Sequence, residues 1–157
     1  MQNLNIEYYW QSMGEIYLDH KGRLKFPEAS EISAVYKLNI ETKNGLHHYI
    51  GETDNLWRRV QGYRTPGPTQ PTNKRLRAIM HTALTTGNNV NIEVLHMGEK
   101  QHWTNTELEQ GIDNKCIRRL YENAAILNCL QNQNTLLNLW KSDISSKFGV
   151  KAYRGSV

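Results

Sequence analysis

Residues Tyr49 to Arg59 read Tyr-Ile-Gly-Glu-Thr-Asp-Asn-Leu-Trp-Arg-Arg, and they hold residue types able to act together on a phosphate. The stretch combines a short apolar strand end, a glycine where the backbone turns, an Asp54-Asn55 pair suited to capping a helix, and a first helical turn carrying Arg58 and Arg59. It therefore brings a phenol and a guanidinium to the same end of a sheet. A guanidinium forks onto phosphate oxygens, and a phenol can donate or accept a proton. From Asn55 to Ile92 there is no Asp or Glu, while Arg58, Arg59, Arg64, Lys74, Arg75 and Arg77 fall inside, with Trp57 and Tyr63 among them. Such a segment suits phosphate contact with some base stacking. The plainer alternative is a solvated helix face.

Ser33 to Ile40 and Leu46 to Gly51 are the strongest predicted strands, joined through Thr42-Lys43-Asn44-Gly45. Their register decides whether Tyr36 and Tyr49 cooperate. A loop centred between Thr42 and Lys43 sets the two tyrosines opposite each other, with Cβ atoms about 5 Å apart. A tight turn at Asn44-Gly45 leaves them on one face but about 13 Å apart along the strand. The alternative is that both are ordinary strand aromatics. A helix from Leu56 to Tyr63, capped by Asp54 and stopped by Pro66-Gly67-Pro68, buries Leu56, Val60 and Tyr63 and leaves Arg59 on the flank of that stripe. Arg58 points elsewhere, toward phosphate or solvent.

A second helix starts near Asn73, with Leu76, Ile79, Met80, Ala83 and Leu84 as its buried stripe, and Gly87 ends it. Lys74, Arg75 and Arg77 ride near its outer face, and His81 is either a packing residue or a DNA contact. Val90 to Leu95 alternates and completes a three-stranded sheet. A long helix is expected from Thr104, where Thr104 and Glu107 form a capping-box pattern, with Gly111 as a break or kink. Within its apolar stretch Glu122 needs a cation, unless it lies on an exposed edge or pairs with Arg118 or Arg119. Glu15 to Asp19 and Arg23 to Phe26 flank a hairpin turn at His20-Lys21-Gly22. Met1 to Met13 show no period. The division expected is an N-terminal arm at 1–14, one domain at 15–140 and a C-terminal tail at 141–157, the last carrying Lys141, Lys147, Lys151 and Arg154.

The order Tyr49-Ile50-Gly51, Thr53, Asn55-Leu56 and Arg59, preceded by Ala34-Val35-Tyr36, resembles the GIY-YIG nuclease superfamily. Ala34 stands where that family usually has glycine. Gly62-Tyr63-Arg64-Thr65, His81-Thr82-Ala83-Leu84, and Glu122 followed by an Asn-rich segment ending Leu136-Leu137-Asn138 narrow the resemblance toward the phage endonuclease II type and related restriction endonucleases. It implies an α+β fold with a small three-stranded antiparallel sheet packed with helices, here preceded by a β-hairpin. It also implies a metal-dependent DNA endonuclease leaving 5′-phosphate and 3′-hydroxyl ends. On this reading Tyr36 is the general base, Tyr49 orients water or phosphate, and Arg59, assisted by Tyr63, binds a non-bridging oxygen. Glu122 holds Mg2+ or Mn2+, and Asn132, Asn134 or Asn138 completes the site. Double-stranded DNA is the implied partner, contacted by Arg58, Arg64, Lys74, Arg75, Arg77 and His81.

The totals are consistent with this. At 157 residues the chain makes one domain able to bury a core without staples, and its net charge is +4. Cys116 and Cys129 form neither a disulfide framework nor a zinc spacing, and His96 and His102 lack partner ligands. With no apolar run of membrane-spanning length and no signal-peptide pattern, a reducing cytoplasm is expected. One such site cuts one strand, so double-strand cleavage implies a homo-oligomer, a dimer or tetramer. The other readings are a catalytically silent DNA-binding module and an RNA-binding or structural interaction protein.

Overall fold

The structure, a computed structural model, describes residues 4–98, 102–103, 106–107 and 111–138. Its elements run β1 (Leu4–Asn5), β2 (Tyr8–Leu18), β3 (Leu24–Lys25), β4 (Ala34–Thr42), β5 (Gly45–Thr53), α1 (Leu56–Arg64), α2 (Pro71–Thr85), β6 (Val90–Met97), β7 (His102–Trp103), β8 (Thr106–Glu107), α3 (Lys115–Gln131) and β9 (Thr135–Leu136). The main sheet has six strands in the order β3-β2-β6-β4-β5-β9, antiparallel except for the parallel β5–β9 pair. A separate small sheet joins β1, β7 and β8. The chain is thus α+β, with a larger and mixed sheet in place of the expected three antiparallel strands.

The sheet lies between two layers of helices. Tyr36, Leu38 and Ile40 of β4 pack with Leu56, Val60 and Tyr63 of α1 and Leu76, Met80 and Ala83 of α2. On the other face, Val35 and Ile50 pack with Ile117, Tyr121, Ala125 and Cys129 of α3. Alternation along the pleated strand feeds both cores, with Ala34, Tyr36, Leu38 and Ile40 on one face and Val35 on the other.

Strand β2 accounts for the difference in sheet size. Tyr8 to Leu18 is one strand, so the second half of the expected N-terminal arm lies in the sheet, and the hairpin to β3 extends it. Its register against β6 shifts between Ser12 and Gly14. The bulge at Met13 exchanges the faces: Tyr8 and Trp10 join the α3 core, whereas Met13, Ile16 and Leu18 join the α1–α2 core. Gly14, at φ +131, takes a conformation that a side chain resists, and a Cβ there would sit 3.2 Å from Pro27. A strand whose parity flips midway shows no period in sequence. With β2 beside it, β6 is an interior strand rather than the last.

Helix boundaries moved for local reasons. Asn55, not Asp54, caps α1, its side chain accepting from the Arg58 N–H. Pro71 begins α2 at a first-turn position where its missing N–H costs nothing, and Gly87 closes that helix as expected. Asn114 caps α3 by accepting from the Cys116 and Ile117 N–H groups. The start expected at Thr104 is not observed: Thr106–Glu107 is a strand, and Thr104 itself lies outside the described residues. The tail at 141–157 also lies outside them. Among the described residues no helix is long and apolar enough to cross a membrane.

Candidate active site

The β4–β5 hairpin adopts neither of the two registers weighed from sequence. Thr42 pairs with Gly45 across a Lys43-Asn44 turn, so Tyr36 opposes Gly51 and Tyr49 opposes Leu38. The tyrosines are diagonal neighbours on one face, with ring centroids 6.4 Å apart. Gly51 makes this possible, because the Tyr36 ring crosses the space that a side chain would fill. From α1, Tyr63 brings its hydroxyl to 2.6 Å from that of Tyr36.

Three phenols and one guanidinium thus share a site. Tyr36 is 1% exposed and Tyr63 is wholly buried, while Tyr49 is partly exposed. Burial pushes all three phenols above their ordinary pKa. Arg59 opposes the rise in each of them. Burial also works against the Arg59 charge, but Tyr36, Tyr63, Tyr49 and Glu52 outweigh it and hold the guanidinium more firmly protonated. A cavity of about 240 Å³ opens beside Arg59, lined by Thr53, Asp54, Arg58, Gly62, Gln70 and Asn73. A larger groove of about 780 Å³ lies elsewhere, between the β4–β5 turn and α2.

Glu122 reaches this site from α3, on the other side of the sheet. It does so at the sheet edge, where β5 has outward backbone groups to satisfy. Leu137 N–H bonds the His48 carbonyl, and the Asn138 side chain bonds both the N–H and the carbonyl of Ile50. Two residues on, the Glu52 N–H lies toward the Glu122 carboxylate and favours its charged form. Burial and the neighbouring Glu52 raise the Glu122 pKa, while that N–H, Arg119 and Arg59 pull it down. The Glu122 charge adds to the upward shift of Tyr36 and Tyr49, so the carboxylate lies within electrostatic range of both phenols. Arg118 does not pair with it, but bonds Glu52 at 2.9 Å.

No protein-family model matches the chain, and no curated protein matches it. Among solved structures the likeness is to bacteriophage T4 EndoII, in a form with one glutamate replaced by alanine. It has 27% identity and a TM-score of 0.42, and covers 57% of this chain and 64% of that one. The chain thus spans just under two thirds of the neighbour's length. A score this low falls short of a shared overall fold, and the functional reading rests on the site's own geometry.

The donor set bears on a metal. Among the described residues no group of three or more His, Cys, Asp or Glu is arranged to hold an ion. Mg2+ needs fewer, taking one or two carboxylates and completing its shell with water and phosphate oxygens. Glu122 fits that pattern, being a hard oxygen donor whose half-buried carboxylate lacks a close ion pair of its own among those described. Glu52 is already engaged by Arg118 and Arg119.

Of the asparagines left open, Asn138 is the one bonded to the tyrosine-bearing strand; Asn132 bonds Asn128, and Asn134 closes the end of α3. The expected DNA contacts separate. Lys74 and Arg77 are exposed on α2, and Arg75 donates to the Leu137 carbonyl at 2.6 Å while lowering the Tyr49 pKa. Arg58 pairs with Asp54 at 2.7 Å. Arg64 packs on Phe26 and bonds the Phe26 carbonyl and Gln61. His81 is partly buried on α2. Of the two aromatics among these charges, Trp57 is exposed and Tyr63 is buried. Sequence reasoning missed Glu52, Arg118 and Asn73. The acid-free run drew attention past Glu52, and no local signal marks Arg118 as buried.

Proposed function

We propose that this chain is a metal-dependent DNA endonuclease that hydrolyses phosphodiester bonds to 5′-phosphate and 3′-hydroxyl ends. The observation that carries the reading is the convergence of Arg59, Glu122 and the Tyr36–Tyr63–Tyr49 phenols at one end of β5, beside exposed cations on α2. In-line hydrolysis needs a water relieved of its proton and positive charge where the phosphorane gains negative charge. Arg59 binds a non-bridging oxygen through the fork of its guanidinium. Glu122 would hold Mg2+ or Mn2+, which would supply further positive charge for the developing phosphorane and the leaving oxygen.

The phenols divide the proton work by burial. Tyr49, partly exposed, meets the attacking water and orients it. Tyr36, the general base of the sequence reading, sits behind, sharing a hydrogen bond with Tyr63. A buried phenol gives up its proton reluctantly, so the three hydroxyls act as a set, helped by the Arg59 charge that opposes their upward shift. Lys74, Arg75 and Arg77 hold the duplex through its phosphates. A second protomer would supply the cut in the opposite strand.

The test is a supercoiled-plasmid assay with Mg2+ or chelator, comparing wild type with Glu122→Ala at one salt concentration. Nicked and linear products that require both Mg2+ and Glu122 are expected. Binding without cleavage on varied DNAs would instead identify a silent binding module, and equal cutting by Glu122→Ala would displace the metal site.

A further inference from the structure

Glu52 follows Gly51 on β5, and three of its groups are engaged at once. Its N–H lies near enough to the Glu122 carboxylate to hold that group's pKa down. Its carbonyl accepts from Arg59 Nη2 at 3.5 Å. Its carboxylate receives Arg118 Nε at 2.9 Å and lies 3.8 Å from Arg119. One peptide segment therefore touches both charged groups that would flank the phosphate, one from α1 and one from α3.

What fastens this segment is Arg118. It is 4% exposed, and its Nη1 donates to the Asp113 carbonyl at 2.7 Å, the Ile112 carbonyl at 3.2 Å and Ser33 Oγ at 3.4 Å. The guanidinium ties the turn before α3 and the entry to β4 to the Glu52 carboxylate. Arginine suits this because its donors lie in a rigid plane; a flexible ammonium would not fix three directions.

We propose that Glu52 is the positioning residue of the site: held by Arg118, its backbone aligns Arg59 and Glu122 across the scissile phosphate. This rests on the endonuclease reading. The Glu52 carboxylate faces arginines and is occupied by them, so it acts through the peptide rather than as a second metal ligand. An N–H fixed on one side of a carboxylate decides which oxygen lone pairs remain for a cation. Partners of this kind, lost from behind a ligand, cost about 10–100-fold in metal affinity or activity.

Length and charge can be separated at this residue. Glu52→Asp keeps the charge but draws the carboxylate away from Arg118, whereas Glu52→Gln keeps the length and an oxygen for the Arg118 N–H. Mn2+ binding to the DNA-free protein is measured by calorimetry, alongside kcat for plasmid nicking, duplex Kd in chelator and the melting temperature. Glu52→Asp is expected to weaken Mn2+ binding and lower kcat by about 10–100-fold, with duplex Kd unchanged, and Glu52→Gln to lose less in both. Should Glu52→Asp fail to fold, Arg118→Lys carries the same expectation, because it keeps a cation and loses the fork. Wild-type Mn2+ affinity and kcat in Glu52→Asp would overturn the proposal. A larger loss in Glu52→Gln than in Glu52→Asp would also overturn it, making Glu52 a direct ligand or a charge effect. Failure of the endonuclease reading is distinct, since wild type itself would then cut nothing.

Discussion

The Tyr36 hydroxyl stands where a side chain on Gly51 would begin: a Cβ there would lie 2.6 Å from the oxygen and 2.8 Å from Cζ. The backbone does not turn at this glycine, which lies inside β5 and serves as a seat for the phenol. In Gly51→Ala the ring must leave, breaking its bond to Tyr63. Overpacking of this kind costs about 1–3 kcal/mol, and a misplacement near 1 Å costs on the order of 10²-fold in rate. Denaturant titration and plasmid nicking should report both losses; wild-type stability would show that the ring relaxes without cost.

The Tyr36–Tyr63 bond gives a double-mutant test. Tyr36→Phe strands the Tyr63 hydroxyl in the core, at a cost of about 1–3 kcal/mol. Tyr36→Phe/Tyr63→Phe removes both partners, and the pair should cost less than the sum of the single changes. Cleavage should fall by about 10²–10⁴ in any variant lacking Tyr36. Near wild-type cutting by Tyr36→Phe would take this phenol out of the mechanism.

Glu122 should separate stability from activity. Its folded pKa lies above the unfolded value, so the native state binds more protons between the two values and stability falls as pH rises through that window. The destabilisation is present above that window. Glu122→Gln keeps an acceptor for the Glu52 N–H and should melt higher than wild type at pH 7, at about 2–4 °C per kcal/mol in a domain of this size. The difference should vanish once pH falls below the ordinary carboxylate range. The same variant should not cleave. A melting temperature lower than wild type at pH 7 would contradict the burial cause.

The pH dependence of cleavage should show the phenols. Tyr36 remains protonated well past the ordinary phenol pKa and Tyr49 past it as well, so the fraction able to accept a proton grows with pH throughout the neutral range. Rates under single-turnover conditions should rise by about tenfold per unit without a plateau up to pH 9. A plateau near neutrality would assign the base to another group.

The basic residues should divide by what holds them. Lys74→Ala and Arg77→Ala, at exposed positions, should each reduce the slope of log affinity against log salt by about 1. Arg64→Ala should chiefly lower stability, because Arg64 packs on Phe26. A full unit of salt slope lost with Arg64 would return it to the DNA-contacting set.

Much of the site was legible because its residues lie close together in sequence. Tyr49 to Arg59 carries a strand end, a turn and a helix start, and each is marked by local chemistry. Tyr36 was placed on the right strand, but its register was not readable. A turn of two residues at Lys43-Asn44 differs from its neighbours by one step, and both polar sets in that loop satisfy turn preferences. The sheet was undercounted because the Met13 bulge breaks the alternation of β2. The Thr104 capping pattern misled for the opposite reason: a local signal was present, but Asn114, next to the packed stretch, caps the helix. Glu52 and Arg118 are 66 positions apart, and nothing short of the fold reveals their pairing.

The manner in which β5 ends the sheet reaches beyond catalysis. An unpaired strand edge is a template for another chain, and here outward groups of His48, Ile50 and Glu52 are met by a short segment, a carboxamide and a guanidinium, with the Glu122 carboxylate beside them. Glu122 and Asn138 are thus also guards against aggregation. A chain shortened before Thr135 would bare the edge at Ile50 and let a second copy pair there, with Tyr36, Tyr49, Arg59 and Glu122 all still present.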